Sequence, residues 1–102
     1  KQGAAASEAT YRQLKQGSAY DASEAEVNVL GYSLLRGGRA VDAVEVFRWN
    51  AAAFPASANA YDSLGEAYLK VGKKDQAAES YRKALELDPG NVNARRALEK
   101  LK

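Results

Sequence analysis

Apolar and polar residues follow a pattern along this chain that recurs after 34 residues, since block 24–57 aligns without a gap on block 58–91. Leu30 aligns with Leu64, and Leu35 aligns with Leu69. A fixed period of this length is typical of stacked supersecondary units, none of which buries its apolar face alone. The pattern therefore predicts a repeat array, which works by presenting a surface to a partner.

Within each repeat the apolar residues have helical spacing. In the second repeat one stripe precedes Gly72 and another follows it, and their members are Tyr61, Leu64, Tyr68 and Val71, then Ala77, Tyr81, Ala84 and Leu85. Gly37–Gly38 and Gly72 interrupt the two repeats near the middle, where glycine can take the positive φ that ends a helix. Pro55 and Pro89 end the second helix of each repeat, because proline lacks the amide that a helix interior needs. Each repeat is thus predicted to be helix, tight turn, helix.

The predicted helix starts carry capping residues. Ser23 and Glu26 have the spacing of a capping box, and Ser57 suits the N-cap of the helix that opens the second repeat. These residues place the helix starts next to positions 24 and 58.

Glycine also stands inside the first helix of each repeat, at Gly31 and Gly65. A glycine in a helix interior costs about 1 kcal/mol relative to alanine. We expect close approach of the paired helices to offset this cost, with the small residues Ala43 and Ala77 opposite.

Two segments flank the repeats. Residues 4–16 are rich in alanine and are predicted to form a short helix that packs on the first repeat. Residues 92–102 predict a helix that caps the second repeat, because the apolar residues of this segment have helical spacing at Ala94, Ala97, Leu98 and Leu101. About three repeats are usually needed for stability, so both flanking helices are expected to contribute. The whole chain, 1–102, is predicted to be a single domain.

Composition excludes several classes of function. The chain has 15 Lys and Arg against 13 Asp and Glu, a net charge of +2, and contains neither cysteine nor histidine. We therefore predict no disulfide, no zinc site and no cofactor. The near-neutral charge argues against nucleic-acid binding, although Arg95, Arg96, Lys100 and Lys102 keep it open as a minor hypothesis. No apolar stretch approaches the roughly 20 residues that span a bilayer, so we expect a soluble domain without membrane contact.

One hydrolase-like motif occurs, and its context speaks against catalysis. Ser80-Tyr81-Arg82-Lys83 fits the Ser-x-x-Lys signature of β-lactamases, which also require Ser-Asp-Asn or Lys-Thr-Gly partners. The chain contains neither partner, and Tyr81 belongs to the apolar stripe. We predict that this chain is not an enzyme.

The residues of the second repeat resemble a known family. Tyr61-x-x-Leu64-Gly65-x-x-Tyr68, then Ala77-x-x-x-Tyr81, then Pro89 resembles the tetratricopeptide repeat, with tyrosine in place of the pattern's tryptophan and phenylalanine. The first repeat is a looser copy that departs at Asn50, where the pattern prefers alanine. The resemblance implies an all-α fold in which antiparallel helix pairs stack into a short right-handed solenoid. It also implies a module for protein–protein interaction.

In that family the first helices line a concave groove, and side chains off the packing stripe point into it. By position, the groove residues predicted here are Asn28, Tyr32, Leu35, Arg36, Asp62, Ser63, Glu66, Leu69, Lys70, Asn93 and Arg96. Tyr32 and Leu35 are expected to be apolar anchors for a peptide or partner domain. Arg36 and Lys70, set against Asp62 and Glu66, are expected to select the charges of the ligand. Asn28, Tyr32, Asn93 and Ala97 stand where some relatives place the clamp for chaperone C-termini, so chaperone binding is not predicted.

A second resemblance points upstream of this chain. Phe47-Arg48-Trp49-Asn50 and Tyr11-Arg12-x-Leu14-Lys15 look like the repeat tail at the C-terminus of some bacterial serine hydrolases of the β-lactamase-like or esterase kind. This resemblance implies an accessory or oligomerisation domain whose catalytic domain precedes it in the same chain. The chain begins at Lys1, so we expect a fragment of a longer protein. Self-association through either end of the array and the compartment stay open.

Overall fold

The computed structural model describes residues 23–101, and within this range all regular structure is helical. The predicted helix at 4–16 lies outside the described residues. The helices, numbered in chain order, are α1 Glu24–Arg36, α2 Ala40–Ala53, α3 Ala58–Lys70, α4 Lys74–Leu87 and α5 Val92–Leu101. Each helix packs on the next along the chain, and α1 also contacts α3. The predicted all-α repeat solenoid is confirmed.

The predicted caps set the helix starts. The Ser23 side chain accepts a hydrogen bond from the Glu26 amide at 3.1 Å, and the Glu26 carboxylate accepts one from the Ser23 amide at 2.9 Å. These bonds complete a capping box. The Ser57 hydroxyl accepts from the Ala60 amide at 3.1 Å and caps α3.

The turns inside the two repeats have the same backbone form. Gly38 and Gly72 have φ of 78° and 79°, a region in which side-chain-bearing residues are strained. Phe54 and Asp88, which directly precede the two prolines, are the C-caps of α2 and α4. The helices therefore end where the glycines and prolines predict.

The core consists of two clusters joined by tyrosines. The first contains Val27, Leu30 and Phe47, and the second contains Tyr81 and Ala94. Tyr61 and Tyr68 are half-buried and pack against both clusters. The repeats thus share one continuous apolar interior, as stacked units require.

The interior glycines have a more specific cause than the predicted nesting of backbones. A Cβ atom on Gly31 would collide with the ring of Phe47, and one on Gly65 would lie 2.8 Å from Cζ of Tyr81. Each glycine leaves the space that an aromatic ring of the paired helix occupies. The expected close approach is therefore a contact of helix with ring, and its aromatic partner lies one helical turn beyond Ala43 or Ala77.

Asn50 is the polar exception in the core. It is 0% exposed, and its Nδ2 donates to the Glu24 carbonyl at 3.2 Å, while its Oδ1 has no hydrogen-bond partner among the described residues. Glu24 also reaches the second repeat, because its carboxylate accepts a hydrogen bond from the Ser57 hydroxyl. Asn50 and Glu24 thus tie α2, α1 and the start of α3 together.

Candidate functional site

Polar side chains connect α1 to α3 across the predicted groove. Ser63 Oγ donates to Asn28 Oδ1 at 2.7 Å. The Tyr32 hydroxyl donates to Glu66 Oε1 at 2.8 Å and lies 3.3 Å from Ser63 Oγ. Four of the predicted groove residues therefore form one hydrogen-bonded row between the first helices of the two repeats.

A second set of bonds connects α3 to α5. Asn93 Nδ2 donates to both carboxylate oxygens of Asp62, at 2.9 and 3.1 Å, and Asn91 Nδ2 donates to Asp62 Oδ2 at 3.3 Å. Asn91 Oδ1 accepts from the Ala94 amide at 3.0 Å and so orders the start of α5. The helices α1, α3 and α5 thus contribute to one surface, which we call the first-helix groove: Asn28, Tyr32, Leu35, Arg36, Asp62, Ser63, Glu66, Leu69, Lys70, Asn93 and Arg96.

The carboxylates of Asp62 and Glu66 give the centre of the first-helix groove a negative charge. Burial is the largest cause that raises the pKa of Tyr32 to about 12; the Glu66 carboxylate and the charge of Asp62 act in the same direction, and the hydrogen bond with Ser63 acts against them. Burial also raises the pKa of Tyr81, and the charges of Asp62 and Glu66 add to that increase. Within the described part of the chain, no Lys or Arg lies within ion-pair distance of either carboxylate.

The groove residues differ in how much they present to solvent. Arg36, Lys70, Asn93 and Arg96 are exposed, and Leu69 is 36% exposed. Ser63 is only 2% exposed, so the prediction that it offers a surface contact needs correction. Its hydroxyl instead joins Asn28 to Tyr32, because Ser63 faces the neighbouring repeat from the inner side of α3.

Tyr32 and Leu35, the predicted apolar anchors, are less exposed than that role implies. The rings of Tyr32 and Phe47 meet edge to face, with centroids 5.2 Å apart and an interplanar angle of 67°. Both Tyr32 and Leu35 are half-buried and pack against the first core cluster. Leu69 is therefore the more accessible apolar side chain of the groove.

A cavity outside the groove was not predicted. It has a volume of 670 Å³, and its apolar lining comes from Val41 and Val44 of α2 with Tyr68 and Val71 near the end of α3. Val41 is 75% exposed and aligns with Asp75 in the second repeat. An apolar residue where the other repeat carries a charge is the signal that could have indicated this surface.

The described residues hold no group of three or more acidic, cysteine or histidine side chains able to bind a metal ion. In residues 23–101 no helix has both the length and the apolar character needed to cross a bilayer. The side chains of the first-helix groove offer hydrogen bonding, apolar contact and charge.

Comparison with known proteins agrees with the geometry. Residues 58–91 match the family model of the tetratricopeptide repeat. No curated protein matches the chain.

Two solved structures share the fold. The crystal structure of MamA is 25% identical, with a TM-score of 0.73, over 78% of this chain and 46% of that chain. The first TPR of Spaghetti (RPAP3), bound to the HSP90 peptide SRMEEVD, is 22% identical, also with a TM-score of 0.73, over 92% of this chain and 85% of that chain. The chain thus spans about half of MamA, and its helices have the fold of tetratricopeptide-repeat structures.

Proposed function

We propose that these tetratricopeptide-type helices form a non-catalytic interaction module that holds a peptide segment of a partner protein in the first-helix groove. The observation that carries this proposal is the hydrogen-bonded row that runs from Asn28 through Tyr32 and Glu66. This row fixes side chains of successive first helices in one rigid surface. A preorganised surface loses little conformational entropy when it binds, which favours affinity.

The groove offers the contacts that an extended peptide needs. Asn28 and Asn93 carry amides that can pair with peptide backbone groups, and Leu69 offers apolar area. Arg36 and Lys70 lie in the last turns of α1 and α3, so cationic charge collects at one end of the groove. The opposite half carries Asp62, which gives the groove a direction along which a peptide can be oriented.

The peptide-bound structure supports the class of ligand and does not identify it. That protein, the first TPR of Spaghetti, binds SRMEEVD, a peptide with three acidic residues. Here carboxylates occupy the groove centre, and Asn28, Tyr32 and Asn93 stand where the chaperone clamp would be. We therefore carry over peptide binding and leave chaperone binding aside.

The test is selection of random peptides displayed on phage against the full 102-residue chain. Leu69→Ser should weaken the enriched peptides about fivefold, because it removes apolar contact in the groove. Val41→Ser is the matched control, since it makes an exposed aliphatic residue polar outside the groove, and it should leave affinity unchanged. If no peptide is enriched, or if both variants bind like the parent chain, the proposal is wrong.

The serine-hydrolase hypothesis finds no support in these comparisons and stays a hypothesis. It requires a catalytic domain upstream in the same chain, which the complete reading frame would reveal. Self-association likewise stays a prediction, for which sedimentation at increasing concentration is the measurement.

A further inference from the structure

Two carboxylates stand one helical turn apart on α3, and no cationic side chain of residues 23–101 pairs with either. Asp62 and Glu66 have i, i+4 spacing and therefore share a face of the helix. Asp62 accepts from the amides of Asn91 and Asn93, and Glu66 accepts from the Tyr32 hydroxyl. All three donors are neutral, so the negative charge of the pair is oriented by hydrogen bonds and left uncompensated in the described part of the chain.

The hydroxyl of Tyr81, a residue of α4, lies beside this pair. Tyr81 is 3% exposed, and its hydroxyl makes no hydrogen bond with any described residue. Cζ, the ring atom that carries the hydroxyl, is the atom nearest to the position that a Cβ of Gly65 would take. Gly65 lies in the same turn of α3 as Asp62 and Glu66. Both carboxylates contribute to the raised pKa of Tyr81, which agrees with a hydroxyl directed toward them. Among the described residues Asn50 Oδ1 is the one enclosed side-chain polar atom without a hydrogen-bond partner, so the Tyr81 hydroxyl keeps contact with solvent and can pair with a group of a ligand.

The first repeat shows that the hydroxyl is not needed for packing. Phe47 occupies the position equivalent to Tyr81 and fills the space above Gly31 without a hydroxyl. Its neighbour across the helix pair is Tyr32, whereas Glu66 is aligned with Tyr32 in the second repeat. The second repeat thus carries a phenol and a carboxylate where the first carries two aromatic rings.

We propose that Asp62, Glu66 and the Tyr81 hydroxyl together receive the cationic group of a lysine or arginine side chain from the bound peptide. This inference rests on the proposed function, because it assigns one subsite of the same groove. An ammonium group has three hydrogens to donate and a guanidinium has five, and both carboxylates and the phenol oxygen can accept. The cation supplies the charge that the pair lacks and the donor that Tyr81 lacks.

Neighbouring cations leave this subsite open. Arg96 aligns with Asp62 one repeat later, yet it does not reach ion-pair distance, and its side chain is exposed. Lys70 follows Glu66 by one turn and is also exposed. Lys70 and Arg36, in the last turns of α3 and α1, favour a carboxylate at the other end of the groove, so the basic side chain and the acidic end of a ligand would bind in a fixed order.

The experiment compares each enriched peptide with a copy in which its basic residue is replaced by glutamine. On the parent chain this replacement should weaken binding about fivefold, the effect of a partly exposed ion pair. The double variant Asp62→Asn with Glu66→Gln should bind the two peptides equally. Asp75→Asn with Glu79→Gln is the matched control, since it removes two exposed carboxylates with the same i, i+4 spacing on α4, and it should preserve the fivefold preference.

Tyr81→Phe tests the hydroxyl separately and should reduce the preference while leaving thermal unfolding unchanged. Enriched peptides without a basic residue, or a preference that survives the Asp62→Asn, Glu66→Gln variant, would overturn the cation subsite while peptide binding stands. Failure to enrich any peptide would instead contradict the proposed function itself. Circular dichroism of each variant shows whether a lost preference reflects lost folding.

Discussion

The two repeats of this chain share a backbone plan and differ in what their side chains do. Both pair an interior glycine with an aromatic ring and turn at a glycine of positive φ, Gly38 or Gly72. Around that common frame the first repeat carries Tyr32, and the second carries Glu66 at the aligned position. The comparison separates positions that set the fold from positions that are free to set recognition.

The repeats also differ in how each tolerates polarity inside the core. Asn50 in α2 aligns with Ala84 in α4, and both are fully buried. The amide of Asn50 reaches the Glu24 carbonyl, a contact between the two helices of one pair. The family model matches the second repeat, 58–91, whose alanine keeps the pattern.

The largest expected effect concerns the glycines. Gly31→Ala should lower the free energy of unfolding by about 3 kcal/mol and Gly65→Ala by about 2 kcal/mol, because the added methyl overlaps a buried ring and overpacking exceeds the gain in helix propensity. The order follows from Phe47, whose ring lies nearer to the added atom than that of Tyr81. Chemical denaturation measures both.

Gly37→Ala is the matched control for these two variants. Gly37 has φ of −83°, and a Cβ there would meet its nearest neighbour at 3.4 Å, so alanine should be tolerated. A Gly31→Ala variant as stable as Gly37→Ala would contradict the ring-over-glycine packing.

The next largest effect on stability is expected when Asn50 and Ala84, the aligned buried residues of the two repeats, are exchanged. Ala84→Asn should cost about 2 kcal/mol, because it buries an amide where no partner is provided. Asn50→Ala should change stability by less than about 1 kcal/mol, since it loses the bond to Glu24 and also removes an unpaired carbonyl oxygen. If thermal denaturation shows equal losses of stability for the two variants, the expected difference between the repeats at this position is wrong.

A smaller difference in stability is expected between variants that remove the hydroxyl of Tyr32 or of Tyr81. Tyr32→Phe should cost about 1 kcal/mol, because it removes the donor to Glu66 that links the repeats. Tyr81→Phe should cost less than about 0.5 kcal/mol in the absence of peptide, since that hydroxyl has no partner among the described residues. Urea denaturation of both variants gives the comparison, and the reverse order would be inconsistent with the hydrogen-bonded row.

The smallest effect is the pH dependence of the first helix cap. Hydrogen bonds from the backbone and side chain of Ser23 hold the pKa of Glu26 below its ordinary value of 4.5. A lowered pKa in the folded state means that the carboxylate stabilises the fold above pH 4.5 and that this contribution is lost as pH falls through the folded-state value.

Glu26→Gln should therefore reduce the loss of stability in acid, whereas the cap of α3 has Ala60 at the aligned position and lacks this titration. Thermal denaturation across the acidic range is the measurement. An unchanged acid profile in Glu26→Gln would show that the capping box does not contribute.

The sequence predicts the helices closely and the roles of the groove residues less well. Serine caps, turn glycines and prolines act on local backbone geometry, so the bounds of α1 and α3 could be read from Ser23 and Ser57. The ring partners of Gly31 and Gly65 depend on which side chain of the opposite helix reaches the gap. That choice is tertiary, and helical spacing does not contain it.

Groove residues show the same limit. Position placed Tyr32 and Ser63 on the groove side of their helices, but it could not show that Ser63 is covered by the neighbouring repeat. Nor could it show that the Tyr32 hydroxyl donates a hydrogen bond to Glu66. These outcomes depend on how far apart two stacked helices lie.

The most direct test of the groove is nuclear magnetic resonance of the full chain titrated with an enriched peptide. Perturbed backbone amides should cluster on α1, α3 and α5, around Asn28, Asp62 and Asn93. A cluster around Val41, Val44 and Val71, at the cavity between α2 and the end of α3, would contradict the assignment of the binding surface.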